Sequence, residues 1–171
     1  MWALIINGVI HELTTTDPAG RFNPALEWVA VPSGVTPAQG WAYAGGTFSA
    51  PPAPPPPTLT QQAATAINVG LMLTLSGSLT LSATLFPTDP ATTGKIGAVV
   101  TTLLATGAFP GGATSYPMKD ATGSWHTFTA AQYPKVAGAL AAYVAALDLI
   151  ADGNPLGATT LPPASATVAL T

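Results

Sequence analysis

Two histidines, His11 and His126, are the only side chains here whose ordinary pKa suits proton transfer near neutral pH. There is no cysteine, which excludes thiol nucleophiles, thiolate metal sites and disulfides. His126 is the more suggestive of the two, because Asp120, Ser124 and Trp125 lie close to it in sequence. A serine hydroxyl becomes a nucleophile only beside a base that a third group orients. Ser124 and His126 are two residues apart, so on a strand they would share one face, and no Gly-x-Ser-x-Gly elbow is present to lift the serine out. We therefore expect His126 to be structural and satisfied by a hydrogen bond. His11 falls in an alternating strand pattern and reads as an exposed or edge side chain.

Paired carboxylates can do acid–base work or hold a hard cation, and Asp148 and Asp152 have helical i, i+4 spacing. They stand alone, at a helix end that disfavours anions, so they read as solvated acids or as partners for Lys95 or Lys119. Gly111-Gly112 lacks the Lys-Ser/Thr signature of a phosphate loop. Trp41, Tyr116 and Trp125 have the chemistry to stack on a sugar, but a core role is the expectation for each. No catalytic, cofactor-binding or metal-binding residue is expected, and the chain reads as a non-enzyme.

Composition points the same way. The basic residues are Arg21, Lys95, Lys119 and Lys135, scattered, with a formal net charge of −3. Binding nucleic acid requires clustered cations that displace counterions from phosphates, so no nucleic-acid partner is expected. Charged residues make up 6% of the chain, against about 25% for an average soluble domain. Mean hydropathy is +0.42. Charge keeps free proteins apart, so a chain this poor in it is expected to cover much of its surface with neighbours, as a homo-oligomer or in a larger assembly. No membrane insertion is expected: the apolar stretch from Val136 to Ala151 is interrupted by Asp148 and is shorter than the ~20 residues of a span. Residues 1–10 lack a basic n-region and a small-residue cleavage site, and do not read as a signal peptide.

The elements that must position these residues are legible in part. Residues 1–50 read as a β-hairpin module. Two apolar runs flank Asn7-Gly8, the strongest short hairpin signal. A third strand is predicted over Leu26–Val31, and a second hairpin brackets Ala44-Gly45-Gly46. Trp2, Trp28 and Trp41 are expected to be at least partly buried. Residues 51–57, nearly all proline, read as a semi-rigid polyproline linker. Residues 58–155 read as an α+β domain of about three helices plus short hairpins.

The first helix should start at Thr58, where Gln61 completes a capping box, with Ala63, Ala64, Ile67, Leu71 and Met72 along one face. Residues 73–86 alternate around Ser76-Gly77-Ser78. The second helix has Asp89 as cap, Pro90 at its first position and Gly107 as stop, with an apolar stripe of Ile96, Val99, Val100, Leu103 and Leu104. A hairpin is predicted around residues 119–123. The third helix spans roughly 130–151, with Thr129 to Gln132 at capping-box spacing and Pro134 kinking it or delaying its start. Residues 156–171 read as an extended C-terminal tail, of which Thr167–Leu170 could add a strand to a neighbour's sheet.

The opening Met1-Trp2-Ala3-Leu4-Ile5-Ile6-Asn7-Gly8-Val9-Ile10, and Gly40-Trp41-Ala42-Tyr43-Ala44-Gly45-Gly46-Thr47-Phe48 before the prolines, resemble short modules of bacteriophage and prophage tail-fibre and tail-fibre-assembly proteins. Phe109-Pro110-Gly111-Gly112, Tyr116-Pro117-Met118-Lys119-Asp120, Trp125-His126-Thr127-Phe128 and Tyr143-Val144-Ala145-Ala146-Leu147 resemble an uncharacterised domain family common in phage tail gene clusters. The resemblance implies a virion protein of the tail (fibre, baseplate or fibre-attachment component), made in the bacterial cytoplasm and partnered by other tail or fibre proteins. It brings no catalytic residues. A tail-fibre assembly chaperone not retained in the virion, and a carbohydrate-binding receptor module, are the alternatives.

Overall fold

The computed structural model describes residues 1–170. The chain is α+β and divides into two compact units, Met1–Pro55 and a second from Pro56 onward. Residues 50–58 carry no helix or strand, all are exposed, and the boundary between the units falls among them.

The first unit is a five-stranded sheet. β1 (Trp2–Ile6) and β2 (Val9–Thr14) form the predicted hairpin, with Asn7 and Gly8 at φ of 51° and 74°. Both residues of a type I′ turn need positive φ, which asparagine and glycine tolerate. β3 (Glu27–Ala30) pairs with the other side of β1. β4 (Ala42–Ala44) and β5 (Thr47–Ser49) make the second hairpin, and the spatial order is β3-β1-β2-β4-β5. Leu4 opposes Glu12 while Ile5 opposes Ile10, so His11 is the extra residue of a bulge in β2. Because of the bulge, Ile5 and Ile10 meet on one face, where they are buried with Ala3 under Leu13, Val29, Trp41, Tyr43 and Phe48. Trp2, Trp28 and Trp41 are all partly buried, as expected.

The second unit holds three helices and five strands. Thr58 caps α1 (Leu59–Val69) through its hydroxyl, and the Gln61 side chain returns a bond to the Thr58 amide at 2.9 Å. Gly70 ends the helix, so Leu71 and Met72, expected on its apolar face, open a strand instead. Any side chain at Gly70 would meet the Phe86 carbonyl, and its φ is 112°. β6 (Leu71–Gly77) and β7 (Leu81–Phe86) form an antiparallel hairpin. Asp89 caps α2 (Pro90–Thr106), which stops at left-handed Gly107. Ile96, Val99 and Leu103 face the core, but Leu104, expected in the stripe, is 75% exposed. β8 (Ser115–Lys119) and β9 (Trp125–Thr129) are the last hairpin. α3 (Tyr133–Ala151) starts later than residue 130, with Pro134 in its first turn where a missing N–H costs nothing.

The expected tail is corrected. Ser165–Leu170 forms β10, which pairs in parallel with β6 of the same chain, giving the sheet order β10-β6-β7. Ala166, Val168 and Leu170 turn toward the core and Ser165, Thr167 and Ala169 toward solvent, an alternation that suits a half-buried strand. Thr171, the last residue of the expected tail, lies outside the described residues. α3 is one described helix long and apolar enough to cross a membrane, 19 residues long with a mean hydropathy of 1.5 over its most apolar 18, longer than the stretch read from sequence. Seven of its side chains, Tyr133, Val136, Ala137, Leu140, Tyr143, Leu147 and Ile150, are buried in the core of the second unit.

Candidate functional site

The densest polar cluster lies in the turn joining β8 to β9. Asp120 and Ser124 close the hairpin through Asp120 N–H to the Ser124 carbonyl at 2.9 Å. Gly123 sits at φ 92°, which glycine alone adopts at no cost. The Asp120 carboxylate folds back into the turn. Its Oδ1 accepts from the Thr122 N–H (2.8 Å), the Thr122 hydroxyl (2.7 Å) and the Ser124 N–H (2.9 Å). Its Oδ2 lies 2.8 Å from His126 Nε2. The His126 hydrogen bond, followed by that from Thr122, holds the Asp120 carboxyl well below the usual carboxylate range. An ionised carboxylate only accepts, so Nε2 carries the proton and donates.

Asp120 is 7% exposed and His126 half-buried, its ring 5.7 Å from that of Phe86. The turn is also anchored from its own backbone: Ala121 N–H donates to the Leu85 carbonyl of β7 at 2.8 Å. An Asp–His pair is two-thirds of a hydrolytic triad, but the hydroxyls are on the wrong side of it. Ser124 Oγ lies 3.1 Å from Thr122 Oγ1, and among the described residues no hydroxyl hydrogen-bonds to His126. Ser124 lies in the turn, ahead of β9, so it does not share a strand face with His126 as the spacing suggested. What the cluster does chemically is fix a turn and hold one imidazole.

The other sequence candidates do not converge. His11 is exposed on its bulge. Asp148 and Asp152 are exposed at the end of α3, and neither Lys95 nor Lys119 pairs with them. Lys119 lies instead over the Trp125 ring, Nζ 5.4 Å from the centroid, across the β8–β9 register. Tyr116 is half-buried, stacked against Phe109 at 5.5 Å and edge-on to Tyr133 at 6.0 Å. Trp41 is half-buried over the first unit's core. Trp125 departs from its expected core role: the residue is 65% exposed. Trp28 Nε1 is buried with no hydrogen-bond partner among the described residues.

Three further polar residues, Thr88, Gln132 and Ser78, are structural. Thr88, fully buried, donates to the Ile67 carbonyl at 2.6 Å and ties the end of α1 to the strand exit. Gln132 donates to Ser78 Oγ at 2.8 Å, and Ser78 donates in turn to the Leu170 carbonyl from both its N–H and its hydroxyl. Two apolar grooves complete the surface of the second unit. One, of about 310 Å³, runs between α2 and α3 over Ile96, Gly97, Val100, Ala137, Gly138 and Ala141. The other, of about 340 Å³, lies beside α1 over Ala66, Val69, Tyr143 and Leu161. No charged residue lines either.

No protein-family model matches the chain, and neither does any curated protein or solved structure.

Proposed function

We propose that this chain is a structural component of a bacteriophage tail, a fibre, baseplate or fibre-attachment part that works by protein–protein assembly. The observation that carries the reading is an exposed surface poor in charge and rich in apolar groups. In the second unit Leu104, Leu156 and Val69 are exposed, and both grooves are lined without a charged residue. Such surface is costly to leave in water and marks sites of contact. The sequence motifs that resemble tail-fibre modules support the setting, and the exposed proline run between the units suits a spacer between modules with different neighbours. Mass spectrometry of purified particles tests it: the chain is expected among virion proteins, and its absence sinks the reading. A chaperone for fibre folding would instead co-purify with a fibre protein in infected cells and be lost from mature particles.

A second reading rests on Trp125. An exposed indole with a lysine beside it is the surface that a sugar ring stacks on, so a carbohydrate-binding receptor module is the alternative. A silent glycan array, with adsorption unchanged by Trp125→Ala, removes it.

A further inference from the structure

We propose that the outer edge of β10 pairs with the same edge of a second copy of this chain, the two strands running antiparallel about a twofold axis at Thr167. The proposal rests on the assembly reading for its setting, and names the contact.

The register of β10 fixes which groups are available. The Ala164 and Leu170 carbonyls accept from Met72 and Ser78 on the β6 side, at 3.0 and 2.8 Å. Backbone groups of successive strand residues point to opposite sides, so Ser165, Thr167 and Ala169 point their N–H and C=O away from β6. No hydrogen bond to these outward groups occurs among the described residues.

Natural sheets blunt their edges with short strands, charges, prolines, bulges or covering segments. Every other edge of the larger sheets here shows one of these. β3 is four residues long and carries Glu27; β5 is three residues long. β7 has Ala83 at φ 40° and is covered in part by the turn, through Ala121 on Leu85. β10 shows none of them. It is six residues long, pairs with β6 at every position without a register shift, and contains no charge and no proline.

The edge also matches itself. About a twofold axis at Thr167, Ser165 meets the partner's Ala169 and Thr167 meets its own copy. The three outward residues of each strand then exchange about six hydrogen bonds. The adjoining face carries Met72, Thr74, Ser76, Ser165, Thr167 and Ala169, none of them charged, so no charge there repels a second copy. Ala166, Val168 and Leu170 remain against the core, and no segment has to unfold for the strands to pair.

Sedimentation velocity of the full chain over a concentration series tests the proposal, and a reversible dimer is expected. Thr167→Lys and Thr167→Glu each place like charges opposite one another at the axis and should weaken self-association roughly fivefold or more. An equimolar mixture of the two should restore it. Thr167→Pro removes an outward N–H without touching the β6 ladder and should abolish the dimer. Circular dichroism of each variant separates loss of pairing from loss of fold. A wild-type chain that stays monomeric at every concentration overturns the proposal, as does a dimer indifferent to folded variants. These outcomes concern purified protein alone, so absence from virions would count against the functional reading and leave the dimer standing.

Discussion

His126 Nε2 and Asp120 Oδ2 lie 2.8 Å apart, and the same carboxylate satisfies two backbone amides and one hydroxyl of its own turn. One aspartate thus sets the shape of the β8–β9 turn and fixes the imidazole against Phe86. The pKa of Asp120 is lower in the fold than its ordinary 3.8. Its contribution to stability is therefore complete above about pH 4 and is lost as pH falls through the depressed folded value. Asp120→Asn is expected to lower the melting temperature at neutral pH and to flatten the acid limb of the stability profile. Thermal melts of both proteins from pH 7 downward check this; parallel profiles would show that the carboxylate does not hold the turn.

β10 belongs to the core, so changes at its contact with β6 should be costly. A Cβ on Gly77 would collide with the Leu170 carbonyl, and Gly77 has φ 104°. Gly77→Ala is expected to destabilise the protein by more than ~2 kcal/mol, from backbone strain and clash together. Leu170→Ala should cost ~2–5 kcal/mol, because its side chain is 1% exposed. Gly94→Ala is the control: the residue is exposed in α2 with open space around its Cα, and alanine there should stabilise by ~0.4–1 kcal/mol. Urea midpoints with unchanged slopes report all three.

The start of α1 rests on a reciprocal pair, Thr58 and Gln61. Thr58→Ala removes the hydroxyl that accepts from the Gln61 amide at 3.3 Å and should cost ~1 kcal/mol. Thr58→Ser keeps the oxygen and should leave the urea midpoint near the wild-type value.

What the sequence made legible was the local chemistry. Asn7-Gly8, the Thr58–Gln61 box, and Asp89-Pro90 with Gly107 each name a backbone state that few residues accept, and each stands where the pattern placed it. The strand at Thr167–Leu170 was legible, but read as one for a neighbour's sheet. That it pairs with β6 of its own chain was hidden because β6 is remote, Ser78 donating to the Leu170 carbonyl across a sequence separation of 92. Six residues of period two, between prolines and the terminus, carry no signal for that pairing. Leu104 and Trp125 mislead for another reason. An apolar type says a residue prefers burial, while the packing of α2 and the β8–β9 edge decides which rings and methyls are left over. The Asp120–His126 pair was legible as proximity in sequence; that Asp120 turns its other oxygen onto its own turn depends on a backbone conformation no spacing encodes.

The aromatic cluster at the start of α3 makes alkaline stability a direct test of the core. Tyr133 is packed edge-on against Phe109 at 5.4 Å, Tyr116 at 6.0 Å and Phe128 at 6.4 Å. Burial, with a smaller contribution from Tyr116, pushes its phenol from 10.0 up to about 12. Burial raises Tyr143 as well. The fold therefore keeps a proton that the unfolded chain releases. That stabilising effect is whole below pH 10 and is lost as pH climbs toward about 12. Stability should hold steady to pH 10 and then fall steeply. Tyr133→Phe keeps the ring and removes the proton, so its alkaline limb should be shallower, with the remaining slope coming from Tyr143. Chemical denaturation between pH 9 and pH 12, paired with tyrosinate absorbance, measures both. A mutant limb as steep as the wild type would place the Tyr133 hydroxyl in water and contradict the packing described above.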